Sequence, residues 1–128
     1  MKLALDTNRY CDLCRGDTAV VAIVAHADAV FLPFLVLGEL RAGFGSGTRA
    51  RANERTLQRF LAKPRVDILF ATDATTHQYA SLHGQLRAQG TPIPTNDLWI
   101  AALVLEHGLC LYSRDRHFAH IPQINLLD

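Results

Sequence analysis

Short apolar runs alternate along this chain with longer segments whose apolar positions return every three or four residues. "KLALD" is too short for a helix and reads as a buried parallel strand ending at Asp6. Helical patterns follow over Asn8–Cys14 and "TAVVAIVAHA", separated by a turn at Gly16 and Asp17. "AVFLP" predicts a second strand, closed by Pro33. "FLVLGELRAGF" then reads as helix and runs into a loop signal at "GFGSG". "TRARANERTLQRFLAKP" predicts an amphipathic helix that stops before Pro64. "VDILF" is a third strand. "DATTHQYASLHGQLRAQG" is a helix with Asp73 placed to cap its start and Gly90 at its end. "PIPTNDLWIAALVLEHG" is a turn followed by a helix that is apolar almost all round, with Thr95 or Asn96 as its formal cap. "LCLYS" and the tail "INLLD" supply the remaining strands. Strands that alternate with helices specify an α/β fold with a central parallel sheet. No repeat, low-complexity tract or linker divides residues 1–128, so a single domain is expected.

Composition narrows the class without naming a function. Of 128 residues, 49% are apolar and 20% charged, as in an ordinary globular domain. No apolar run reaches the roughly 18 residues that a membrane span needs. The N-terminal "MKLALDTN" has too short an apolar run for a secretory signal. The expectation is a cytoplasmic protein with no membrane role. Cys11 and Cys14 form "CDLC" at helical spacing. They read as two small apolar residues of the core, with a redox dithiol as the competing reading. No second cysteine pair completes a zinc site, and "HFAH" at His117–His120 is a lone spacing match.

The acids carry more information. Ligands of an open parallel sheet sit outside the carboxyl ends of its strands. Asp6 ends the first strand, and Asp115 stands just past "LCLYS". Either alone is an ordinary turn or cap residue. Asp97 lies at the mouth of the apolar helix. Glu39 lies in "FLVLGELRAGF" on a face that the pattern turns inward, where a carboxylate needs a partner; the competing reading is a side chain that bends out to solvent. Arg41, two residues on, points elsewhere. If Asp6, Glu39, Asp97 and Asp115 converge, their repulsion calls for a hard divalent cation such as Mg²⁺. Such an ion activates water and stabilises charge on a phosphodiester, so the inferred chemistry is metal-dependent hydrolysis of nucleic acid.

Net charge is only +1, but six of the thirteen basic residues fall between Arg49 and Arg65. Arg51, Arg55, Arg59 and Lys63 recur every four residues and form a stripe. A stripe of this kind either tracks a phosphate backbone or is a solvated helix face.

"LALDTN", "LGEL", "IPTNDLWIAA" and "SRDRHF", in this order, resemble the blocks of the PIN-domain ribonucleases, and most of all the VapC toxins of VapBC toxin–antitoxin pairs. The likeness spans essentially the whole chain. It implies a three-layer α/β/α sandwich around a parallel sheet. The family's acids fall on Asp6, Glu39, Asp97 and Asp115, with Asp6, Asp97 and Asp115 as metal ligands and Asn8 and Ser113 in support. It implies an endoribonuclease dependent on Mg²⁺ or Mn²⁺ that leaves a 3′-hydroxyl by water attack. It also implies a homodimer, held inactive by a VapB-like antitoxin, so the arginine stripe serves RNA, antitoxin or both. Pro33, Phe34 and Val36 depart from the hydroxyl residues that many members carry before the glutamate, and "CDLC" is not part of the pattern.

Three readings compete with the toxin. One is an RNA-processing PIN nuclease without an antitoxin. Another is a PIN-like binding module that has lost catalysis, against which the intact acidic set counts. The third is a receiver domain, which wants paired acids after the first strand and a late lysine. Here the only lysines are Lys2 and Lys63.

Overall fold

A computed structural model describes all residues, Met1–Asp128. The elements are β1 (Lys2–Leu5), α1 (Thr7–Cys14), α2 (Thr18–His26), β2 (Ala29–Pro33), α3 (Phe34–Gly45), α4 (Ala50–Leu61), β3 (Val66–Leu69), α5 (Asp73–Gln89), α6 (Thr95–Glu106), β4 (Cys110–Tyr112) and β5 (Asn125–Leu127), with a 3-10 turn at Arg116–His120. The five strands form one parallel sheet in the order β3-β2-β1-β4-β5.

That order places the site. From β1 the chain steps outward to β2 and β3, then returns across the sheet to β4 and β5. Parallel crossovers are right-handed, so the first steps carry α1–α4 over one face and the return carries α5 and α6 over the other. The result is the expected three layers. The direction of travel reverses between β1 and β4, and the carboxyl ends of those strands open a crevice there. Leu5 pairs with Tyr112 across the reversal, and the Asp6 amide donates to the Tyr112 carbonyl at 3.1 Å.

The core explains the apolar runs. Leu3, Ala4 and Leu5 of β1 are fully buried between the helical layers. In α6, Leu98 and every residue from Ile100 to Val104 are buried, so this helix is enclosed by the sheet and its partner α5. An apolar helix without a polar face is the expected sequence for that place.

Local chemistry sets most boundaries. Asp17 caps α2 by accepting the amides of Ala19 and Val20 at 3.1 Å each. Gly90 ends α5 at φ 74°, a left-handed conformation that glycine adopts without steric cost. Two expected caps are displaced. Thr72, not Asp73, caps α5, and its amide donates to Thr75 Oγ1 at 2.9 Å. Pro94 occupies the cap of α6, ahead of Thr95 and Asn96. The fixed φ of proline preorganises that entry, but Pro94 has no side-chain oxygen to offer the first turn. The core reading holds in part for Cys11, which packs against the core, and fails for Cys14. Cys11 is half-buried and Cys14 exposed, because α1 turns that edge outward. Only Cys110 is buried. Burial pushes the Cys11 thiol up, which is the wrong direction for a redox nucleophile.

Candidate active site

The crevice is built around one hydroxyl. Ser113 follows β4 directly and is fully buried. Its Oγ donates to Asp6 Oδ2 at 2.6 Å and accepts the Asp115 amide at 3.0 Å. Asn8 Nδ2 lies 3.4 Å from both Asp6 Oδ2 and Ser113 Oγ. Asn8 Oδ1 accepts the Arg114 amide at 3.1 Å. Both residues assigned supporting positions, Asn8 and Ser113, thus join the loop after β4 to the end of β1. Asp6 itself is 5% exposed, and its Oδ1 caps α1 by accepting the Thr7 amide at 2.8 Å.

Asp97 and Asp115 meet at a residue that sequence spacing passed over. His117 Nδ1 lies 2.8 Å from Asp97 Oδ2 and 2.9 Å from Asp115 Oδ1. Asp115 Oδ1 also caps the 3-10 turn by accepting the His117 amide. "HFAH" held this residue, but two histidines three apart carry no signal for a contact with Asp97, twenty residues earlier. Asp97, Asp115 and His117 can each offer a ligand atom within 4.8 Å of the others.

Negative charge accumulates here. Burial pushes the Asp97 carboxyl up, and the charges of Asp115 and Asp6 add to the rise. The hydrogen bond from His117 opposes it without cancelling it. His117 moves up because Asp97 accepts its hydrogen bond and Asp115 adds its charge. Glu39 also moves up, from desolvation and then from the charges of Asp6 and Asp97. Asp6, Asp97 and Asp115 thus all act on Glu39, and Asp6 and Asp115 act on Asp97. Glu39 differs from expectation in one respect: its residue is exposed and not turned into the core, although it lies close enough to Asp6 and Asp97 to feel their charge. Val36, Leu37 and Leu40 supply the buried face of α3 instead. Arg41 does point elsewhere, and makes a two-pronged bond to Glu54 at 3.0 and 3.1 Å.

The donor set suits a hard divalent cation. It is made of carboxylate oxygens whose mutual repulsion a cation would relieve. Thr7 Oγ1, next in sequence to Asp6, is a buried oxygen with no close partner but Glu39, whose rise it opposes. The imidazole of His117 sits between two carboxylates, where positive charge is favoured.

A second ion network braces this loop. Arg114 clasps Asp12 through two 3.0 Å bonds, and Arg9 reaches Asp12 at 3.1 Å while lying over the Tyr112 ring. Desolvation raises the Asp12 carboxyl, but the hydrogen bonds from Arg114 and Arg9 outweigh it and hold the group below its usual range. With 102 residues between Arg114 and Asp12, no local pattern announces the pair.

The basic stripe is divided: Arg51, Arg55 and Arg59 lie on α4, and Lys63 lies just past its end. Arg51, Arg55, Arg59 and Lys63 are all exposed. Arg51 and Arg55 border a recess at the α3–α4 turn with Arg41. Arg59 and Lys63 instead rim an apolar cavity of about 750 Å³ that reaches Val30 and Val66, at the amino edge of the sheet. That cavity includes none of the four acids.

Fold and acidic crevice together are those of a PIN-type α/β domain. The PIN domain family matches residues 3–124, and the chain belongs to that family. Within it the chain belongs with the VapC proteins. Ribonuclease VapC4 of Mycobacterium tuberculosis is 31% identical over 93 residues, covering 73% of this chain and 72% of the relative. The structure of VapBC-1 from nontypeable Haemophilus influenzae superposes with a TM-score of 0.87 at 26% identity, covering 100% of this chain and 98% of that one. VapBC2 from Rickettsia felis, solved with a promoter DNA fragment, gives a TM-score of 0.85 at 24% identity, covering 99% of this chain and 98% of that one, and supports the fold. No helix of this protein is long and apolar enough to cross a membrane.

Proposed function

We propose that residues 1–128 act as one PIN domain, a metal-dependent endoribonuclease that is the toxin of a type II toxin–antitoxin pair. The observation that carries the chemistry is the convergence of Asp6, Asp97, Asp115 and Glu39 at the β1–β4 reversal. The VapC relatives and the VapBC assemblies support the biological role. Asp6, Asp97 and Asp115 would hold Mg²⁺, with Mn²⁺ as a substitute. The bound ion supplies an activated water and neutralises charge on the phosphodiester.

The chain's own residues do the rest. Ser113 fixes the Asp6 carboxylate by donating to it, and Asn8 holds the same loop from the other side. The enclosed body of α6 keeps the Asp97 backbone rigid. Glu39, whose carboxyl is raised by partial burial and then by the charges of Asp6 and Asp97, would take a proton from an attacking water. His117 holds positive charge between Asp97 and Asp115, the place that a bound cation would share.

The test is RNA cleavage by purified protein with Mg²⁺, with EDTA, and with Asp97→Asn. Cleavage by the parent only, stopped by EDTA and restored by Mg²⁺ or Mn²⁺, is expected. Full cleavage by Asp97→Asn would overturn the active-site assignment. A VapB-like antitoxin should suppress the activity, and the protein is expected to work as a homodimer.

A further inference from the structure

A second cavity lies on the α5 side of the active-site end, with a volume of about 330 Å³. That is at the small end of the range for ligand sites, roughly 300–1,000 Å³. Tyr79, His83 and Arg87, one turn apart along α5, form one wall, and Ile93, Thr95 and Leu98 form the other. The aromatic rings are layered. Tyr79 stacks on Trp99 with centroids 4.1 Å apart and planes 29° apart. His83 continues the layer at 6.3 Å and 20° from Tyr79. His83 and Arg87 are exposed, and Arg87 belongs to no salt bridge. No Asp or Glu lines the cavity.

We propose that this cavity is a nucleobase subsite, which receives one base of the RNA strand beside the cut while Arg87 meets the adjoining phosphate. The proposal rests on the ribonuclease reading and names where its substrate is held. A layered aromatic wall offers a flat face to a planar ring, and base–aromatic stacking is the common way proteins grip single strands. One unpaired guanidinium and no acid select a ligand that is planar and anionic. A purely apolar occupant would leave Arg87 without a partner. The location also fits. Thr95 begins α6 two residues before Asp97, on the opposite flank of its first turn. Gln89, at the end of α5, donates to the His120 carbonyl at 2.9 Å and so ties this wall to the turn that carries His117.

Trp99 is the only tryptophan of the chain, so its fluorescence reports on this stack alone. RNA tetramers should be titrated in EDTA, which prevents cleavage, against tetramers with one abasic position. Saturable change in Trp99 emission is expected, weakened about tenfold by the abasic position and by His83→Ala. Arg87→Gln should weaken binding and make it less salt-dependent. Both changes are at exposed positions, and a melting curve checks the fold. Equal response to intact and abasic tetramers, or no effect of either variant, overturns the proposal. With Mg²⁺ present, Arg87→Gln should raise KM and leave kcat unchanged. The two readings then separate. A parent that binds bases but cuts no RNA overturns the nuclease alone, whereas a parent that cuts RNA with Trp99 unresponsive overturns the subsite alone.

Discussion

The Ser113 hydroxyl donates a 2.6 Å hydrogen bond to the Asp6 carboxylate across 107 residues of sequence. It simultaneously accepts the Asp115 amide, so one buried oxygen sets two of the acids. Ser113→Ala should therefore impair cleavage more than it unfolds the protein. Losing a residue that orients a metal ligand typically costs 10–100-fold in metal affinity or activity. A Mg²⁺ titration of cleavage rate, run beside a thermal melt, measures both effects. A melt that collapses while the remaining folded protein keeps full specific activity would make Ser113 structural only.

Asp6→Asn and Asp97→Asn should each abolish cleavage and any growth inhibition while the chain still folds. Asp97 lies in the first turn of α6, where a negative charge also favours the helix. A helix-end charge contributes about 0.3–1 kcal/mol, so Asp97→Asn should move the melting point little. Activity is the sensitive readout. A large stability loss with activity retained would reduce Asp97 to a helix-end residue.

The Asp12 network should appear in the acid limb of stability. Its folded carboxyl lies below the ordinary value of 3.8. The protons it must bind on acidification are therefore bound more readily by the unfolded chain. Its contribution is complete above about pH 4 and is lost as pH falls through the lower folded value. Asp12→Asn should lower the melting point at pH 7 and flatten the decline below pH 4. Equal slopes in parent and variant would show that Arg114 and Arg9 do not stabilise this carboxylate.

The divided stripe predicts divided phenotypes. Charge removal at Arg51 and Arg55 should weaken RNA binding and flatten its salt dependence, by about 0.7 in the log–log slope for each phosphate no longer neutralised. At Arg59 and Lys63, beside an apolar cavity, it should act mainly on antitoxin binding. Affinities measured over a salt series for both partners decide it. Unchanged values throughout would return α4 to a solvated face.

Much of this was legible in sequence, for identifiable reasons. "KLALD" and "LCLYS" are short apolar runs that end in polar residues, so Asp6, Ser113 and Asp115 had to fall at strand ends. Asp97 was visible because the helix behind it has no polar face. Glu39 was legible as a charge in an apolar segment, but sequence favoured an inward side chain over the exposed one that the fold shows. Periodicity averages over a helix, and α3 buries only Val36, Leu37 and Leu40. His117 and the Arg114–Asp12 clasp were illegible because tertiary placement alone makes them. The layering of Tyr79, His83 and Trp99 depends likewise on α5 lying against α6.

The reversal between β1 and β4 has one more consequence. Asp6 emerges from the ribosome early, but its hydrogen-bonding partner Ser113 and the acid Asp115 arrive only after more than a hundred further residues. Contacts this distant in sequence form late, because closing the intervening loop costs entropy first. A partly synthesised chain therefore has no assembled crevice. If the crevice is the site of RNA cleavage proposed above, the topology ties activity to delivery of the strand that completes it.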